Sequence, residues 1–599
     1  MRIKALLLPA ASALLLACSP GEAPAPAVSM KTEPATDAGE RLNELVESYF
    51  DEFLALNPLL GTFIGDDRFN DRLANNIGPK HLQASRALEA EYLERIGAID
   101  PETLEGQHLL SYEIFRLDRR TALDGFEFPG ELIPVDQQSS LPSFFAQLGS
   151  GQSVQPFVTV SDYENFLARI GDFTVWVDQA IANMRAGVEK GIVQPRIVVV
   201  KVIPQLEAQL VDSLEESLFY MPVENMPDNF AEADRERLTA AYTTAVGEQI
   251  IPAYRRLRDF MRDEYAPETR ATVGISALPE GEDWYAYLVR VHTTTDLAPE
   301  TIHQLGLDEV ARIRAEMEQV MEEVGFEGTL AEFFEHVKTD DRFYFDEAEQ
   351  LIDAYSDIKA KLEDELPKLF SRLPEAGFEI RPVEAFRAES AAGGSYQPAT
   401  PDGSRAGVFY VNTFNLRAQP KFGMETLYLH EAEPGHHFQI SLQQEVESLP
   451  RFRRFGGYTA YVEGWALYAE SLGRELGLFQ DPYQYYGRLS DEMLRAMRLV
   501  VDTGLHAQGW SRDKAIEYML ENSSIAESDV VSEVERYIAN PGQALAYKLG
   551  QLRISELRAK AEAALGEDFD IREFHVQILE DGALPLEVLE AKVLRWIDT

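Results

Sequence analysis

Three of the ten histidines in this 599-residue chain fall close together in TLYLHEAEPGHHFQI: His430, His436 and His437. Glu431 follows the first directly, and a later run, AYVEGWALYAE, carries Glu463. Two imidazoles and a carboxylate from a following helix make the ligand set of a catalytic zinc ion, Zn2+, with a fourth position left for water. A glutamate beside the first histidine is where a general base for that water belongs. The plain alternative is a histidine-rich helix end, because positive charge is favourable near a helix C-terminus. That alternative makes coincidences of both Glu431 and the later glutamate run.

The spacing departs from His-Glu-x-x-His, because Pro434 stands where the second histidine belongs. On an unbroken helix, the seven residues from His430 to His437 rise about 10.5 Å. That is too far for two imidazoles each about 2.0–2.1 Å from one zinc. Pro434 cannot donate to the carbonyl of His430 and crowds it, and Gly435 allows backbone angles that other residues avoid. A widened helical turn is therefore expected there, swinging a later histidine back beside His430. His436 is the expected second ligand, with His437 orienting a ligand or the substrate; the reverse assignment stays open. Glu470, on the same helical face as Glu463, is the reserve third ligand. Its plain alternative is an ion pair with Arg474, four residues on.

The elements that must hold these residues are mainly helical. Apolar residues recur at helical spacing from residue 41 to Asn57-Pro58, then over 82–96 and 108–119. Residues 126–160, with scattered Pro, Gly, Ser and Gln, read as a long loop. Long helices return over 163–261, broken near Pro204 and Pro222. Pro299 opens a clean helix that Gly325 closes, and 345–370 is another. Only 378–412 reads as strand, in FEIRPVEAF and GVFYVNT, which are rich in β-branched and aromatic residues. Gly393, Gly394 and Asn412 lie in this region, where glycines would let a backbone approach closely and a strand edge could pair with an extended peptide. The plain alternative is a structural hairpin. The motif helix starts near Met424, and Glu463 sits on a helix over 458–476. A helix over 482–506 carries Arg495, Arg498, Asp502 and His506. SEVERYIANPGQALAYKLG then brings Arg536, Tyr537 and Tyr547, more often core residues on a helix, though hydrolysis also needs a donor to the oxyanion.

The whole chain sets bounds on these readings. Asp and Glu outnumber Lys and Arg by 101 to 55, a formal charge of −46. That argues against nucleic acid, whose phosphates call for a basic surface, and against electrostatic attraction to anionic lipid. The single cysteine, Cys18, leaves no disulfide framework and no thiolate metal site. It ends a basic start and an apolar run too short to span a membrane, so residues 1–17 read as a secretory signal. The run resembles a bacterial lipobox, which implies a lipid on Cys18, and Ser19 implies sorting to the outer membrane, facing the periplasm. Residues 18–40 read as a flexible tether and 41–599 as the folded part.

HEAEPGHHFQ, YVEGWALYAE and RYIANPGQALAYKLG, in that order, resemble the bacterial domain-of-unknown-function 885 family over roughly 41–596. That family is grouped with glutamate-ligand zinc peptidases, and its helical layout is similar to angiotensin-converting enzyme and thimet oligopeptidase. The resemblance implies two helical halves, about 41–275 and 276–599, around a deep cleft with a small β element near the site. It also implies that Arg536-Tyr537 matches an Arg-Tyr pair, making Tyr537 the oxyanion donor, helped by His506 or Tyr547, with Arg536 on the substrate. The expected function is zinc-dependent hydrolysis of peptides in the cell envelope: His430, His436 and Glu463 hold zinc and Glu431 moves the proton. The rivals are a zinc hydrolase of a non-peptide amide or cell-wall peptide, and a non-catalytic peptide-binding lipoprotein. A substrate screen and a zinc assay separate them.

Overall fold

The computed structural model describes residues 37–383, 388, 392–399 and 406–598. Cys18 lies outside them. The chain is mainly α-helical, and helices form where the sequence caps and stripes them. Helix α1 (Val160–Lys190) opens on a capping box, Thr159 with Asp162, and stops at Gly191 in the left-handed region. Pro299 stands at the start of α2 (Pro299–Glu323), whose Ile302, Val310, Ile313 and Met317 are buried along one face. No described helix is long and apolar enough to cross a membrane.

One small sheet interrupts the helices. Its strands are β1 (Phe378–Pro382), β2 (Gly394–Gln397) and β3 (Gly407–Val411), in the order β1-β3-β2. The alternative of a simple hairpin is corrected here. β1 and β3 run parallel, from Phe378 opposite Gly407 to Pro382 opposite Val411, and the intervening β2 supplies the antiparallel partner of β3. Its Gly394-Ser395-Tyr396-Gln397 has too little β-branched content to read as a strand. Leu427 lies against Gly394, so the sheet rests on the motif helix.

The elements of the site follow: α3 (Met424–Glu431), α4 (His436–Gln444), α5 (Thr459–Ser471), α6 (Pro482–His506), α7 (Glu527–Ala539) and α8 (Ala546–Leu565). Two further expectations need correction. The stretch 126–160 is not one loop, because it contains the helix Leu141–Gly149, whose Phe145 is fully buried. Pro204 does not break its helix but sits within Arg196–Glu207.

Two large apolar cores flank the site. One gathers Phe173 and Trp176 of α1, Ile313 and Met317 of α2, Met497 and Val500 of α6, and Val534 of α7. The other gathers Phe409 of β3, Tyr428 of α3, Phe438 of α4, Trp465 of α5 and Leu557 of α8. α6 and α7, far along the chain, complete the first core. α5 and α8 pack unusually close, because a Cβ on Gly464 would lie 2.4 Å from the Gly550 Cα. That contact places Glu463 and Tyr547 on neighbouring helices.

Candidate metal centre

The motif folds as two helices, not one widened turn. α3 ends at Glu431, and Ala432 leaves helical angles at φ −105°, ψ −106°. The Glu433–Pro434 peptide is cis. Gly435, at φ −78°, ψ −128°, starts the next helix against the end of the last. A Cβ on Gly435 would lie 1.9 Å from the His430 carbonyl oxygen and 2.3 Å from that of Leu429, so only glycine fits. The carbonyl of Pro434, left outside both helices, accepts from Trp465 Nε1 at 2.8 Å.

This break brings His436 beside His430, with ring centroids 4.7 Å apart and planes at 87°. His430 Nε2 lies 3.6 Å, and His436 Nε2 3.5 Å, from Glu463 Oε2. Ligand atoms about 2.0–2.1 Å from a tetrahedral zinc stand about 3.3–3.4 Å apart, so the separations fit that ion. The three ligand atoms all lie within 4.8 Å of one another. Glu463 Oε2 is buried and has no hydrogen-bond partner among the described residues. Burial alone would raise the Glu463 carboxyl, but the two histidines hold it well below the usual carboxylate range. Burial would likewise lower His430, yet Glu463 and Glu470 push it up to about 10. The carboxylates around this imidazole therefore call for positive charge at the cluster.

The other candidates separate cleanly. Glu470 Oε1 accepts from His430 Nδ1 at 2.8 Å, so Glu470 orients the first histidine from behind. His437 turns away from the cluster. Its Nδ1 is 2.9 Å from the Tyr396 hydroxyl of β2, its ring lies 4.5 Å from that of Phe378, and burial lowers its pKa to about 4. Glu431 is half-buried at the end of α3, and its charge reaches the His430 ring.

A second polar cluster lies toward α6 and α7. Tyr537 is fully buried; its hydroxyl donates to Glu533 Oε2 and accepts from Arg498 Nε at 3.2 Å. Arg536 donates to Glu533 at 3.1 Å and to Gln543 at 2.6 Å. The Arg498 guanidinium lies 4.4 Å over the Tyr547 ring. Tyr547 is half-buried, and its phenol is raised by burial and then by the charge of Glu463. Tyr547 is thus the tyrosine between the two clusters. His506 belongs to neither. Its Nδ1 accepts from the Ile275 amide at 3.0 Å and its Nε2 donates to the Tyr537 carbonyl at 2.9 Å, so both nitrogens serve the backbone.

The strand residues are placed as follows. The Gly393 carbonyl accepts from the Asn412 amide and from Gln419 Nε2, both at 2.9 Å. The Asn412 side chain donates to Ala388 at 2.7 Å and accepts from the Phe414 amide at 3.0 Å, which ties it to its own loop. Gly394 begins β2, an edge strand. Sequence reasoning missed Glu533 and Tyr396. The first had a signal, since Glu533 precedes Arg536 by three residues and Tyr537 by four on one helix face. Tyr396 had none.

A family model described as a bacterial protein of unknown function, DUF885, matches residues 58–593. A candidate lipoprotein from Colwellia psychrerythraea, known from its crystal structure, is 30% identical; the match covers 94% of this chain and 99% of that one at a TM-score of 0.87. A candidate lipoprotein of unknown function from Shewanella oneidensis shares the fold at 16% identity, covering 92% and 99% of the two chains at a TM-score of 0.73. No curated protein matches the sequence.

Proposed function

The chain belongs to the bacterial DUF885 family, and from its site we propose that it is a zinc-dependent peptidase of the cell envelope. The observation that carries this reading is the triangle of His430 Nε2, His436 Nε2 and Glu463 Oε2, with Glu431 next to the first ligand. The resemblance to glutamate-ligand zinc peptidases supports it. A zinc ion at those three atoms would polarise a scissile carbonyl and acidify a water molecule. Glu431 takes the proton from the attacking water and passes it to the leaving amine. Glu470 fixes the tautomer and orientation of His430.

Tyr547 is the oxyanion donor in this reading, in place of Tyr537. Tyr537 is itself fully buried and its proton is committed to Glu533, whereas Tyr547 is half-buried and feels the charge of Glu463. The edge strand β2 offers main-chain groups to an extended peptide beside α3. The lipobox-like start and the two structural relatives, both candidate lipoproteins, support a lipid anchor at Cys18, and Ser19 after it is the ground for proposing the outer membrane, facing the periplasm.

The test is incubation of zinc-loaded protein with a defined peptide mixture, read by mass spectrometry. Cleavage that disappears in Glu431→Gln, at unchanged zinc content, is the expected result. Zinc-loaded wild type that leaves every peptide intact would overturn the peptidase reading.

A further inference from the structure

The second polar cluster gathers two arginines around one carboxylate. Arg498 Nη2 and Arg536 Nη2 donate to one oxygen, Glu533 Oε2, at 3.0 Å and 3.1 Å. Two cations therefore face one anion. Asp502, whose carboxyl also feels Arg536, does not supply the balance. It is buried and bonded by the Tyr285 hydroxyl at 2.6 Å and the Gly542 amide at 3.0 Å, and burial pushes it up to about 7. A local surplus of positive charge stands out in a chain whose formal charge is −46.

One donor of this cluster also lacks an acceptor. Arg498 Nη1 is buried without a hydrogen-bond partner among the described residues, in a side chain only 8% exposed. Buried donors are nearly always partnered. The open member is Arg536, whose side chain is 21% exposed. Its Nη1 donates to a neutral amide oxygen, Gln543 Oε1. A carboxylate is a stronger acceptor for a guanidinium and meets it in a two-pronged fit, so a ligand anion can displace Gln543. The position is also right: the Arg498 guanidinium stacks on Tyr547, and Tyr547 feels Glu463 of the metal triad as well as both arginines.

We propose that this cluster binds a substrate carboxylate, the free C-terminus of the peptide, with Arg536 as the contact and Arg498 adding charge beneath it. Cleavage then occurs near carboxyl ends rather than amino ends. This rests on the peptidase reading, and every peptide carries the required group whatever its sequence. An acidic side chain is the other source of the same chemistry.

Zinc-loaded protein is given N-acetylated tetrapeptides as free acids, as C-terminal amides, and as amides ending in glutamate. Free acids are expected to be cleaved about 10–100-fold faster in kcat/KM than plain amides, the range for losing a partly desolvated charge contact. Arg536→Gln, at wild-type zinc content and circular dichroism, slows the acids to the amide rate, and Arg536→Lys keeps part of the preference. Acids and amides cleaved alike by wild type overturn the proposal and leave the peptidase reading standing. Glutamate amides that match the acids overturn the C-terminal assignment in favour of side-chain recognition. If no peptide is cleaved, zinc-loaded Glu431→Gln protein is titrated calorimetrically with the same acids and amides. Tighter binding of the acids then keeps the carboxylate site while the peptidase reading falls, and equal binding overturns both.

Discussion

Glu470 and His437 both lie close to the proposed metal ligands, yet their partners differ, and so do the expected effects of changing them. Glu470 holds His430 Nδ1, so Glu470→Gln should weaken zinc binding about 10–100-fold without unfolding the chain. His437 is tied to Tyr396 of the sheet, so His437→Ala should keep zinc and lower Tm instead. Zinc titration and thermal melts of both variants check the pair; zinc loss in His437→Ala alone would reverse the assignment. Glu431→Gln should keep zinc and lose about 10²–10⁴-fold in kcat, the usual worth of a general base. Tyr547→Phe should lower kcat by about 2.7–4 kcal/mol of transition-state stabilisation with KM little changed. Tyr537→Phe should act mainly on stability, since it removes a fully buried hydroxyl that donates to Glu533. The residue types that the fold brings together, two histidines and a glutamate, were legible in the sequence because zinc chemistry restricts candidate ligands so tightly. That His436 rather than His437 lies beside His430 and Glu463 follows from a helix break, and no residue type announces its direction.

At the scale of elements, the site depends on two close backbone approaches. Gly435→Ala would push a Cβ into two carbonyl oxygens that cannot swing away. It should cost about 1–3 kcal/mol, and because the displaced atom is the His430 carbonyl, zinc affinity should fall with Tm. Unchanged melting and zinc content would show that the break is not held by that contact. Asp502 links α6 to the turn before α8 and to Tyr285. Its carboxyl is raised by burial to about 7, so the folded chain holds a proton that the unfolded chain has lost. The stability this contributes is complete below the ordinary aspartate value and is lost as pH rises toward 7. Asp502→Asn should flatten stability against pH across that window, as read by denaturant melts at several pH values. Helices such as α6 were legible because Pro482 and the apolar stripe mark them. β2 was not, because its glycine and serine take their conformation from β3 and from Leu427, both distant in sequence.

At the scale of the whole molecule, the triad is assembled at the meeting of two cores. α3, α4 and α5 belong to one, while α6 and α7, which carry the arginine cluster, complete the other. A mainly helical molecule was plain from periodicity, but which helices share a core was not. Long-range packing returns α6 to the first core, and periodicity says which face of a helix is apolar, not which core receives it. The central claim is that His430, His436 and Glu463 form one metal site. Its most direct test is the zinc content of purified wild type, His430→Ala and Glu463→Ala after dialysis against trace zinc. One zinc per wild-type chain and little in either variant is expected, with both variants still folded by circular dichroism. Metal-free wild type, or variants that keep stoichiometric zinc, would contradict it.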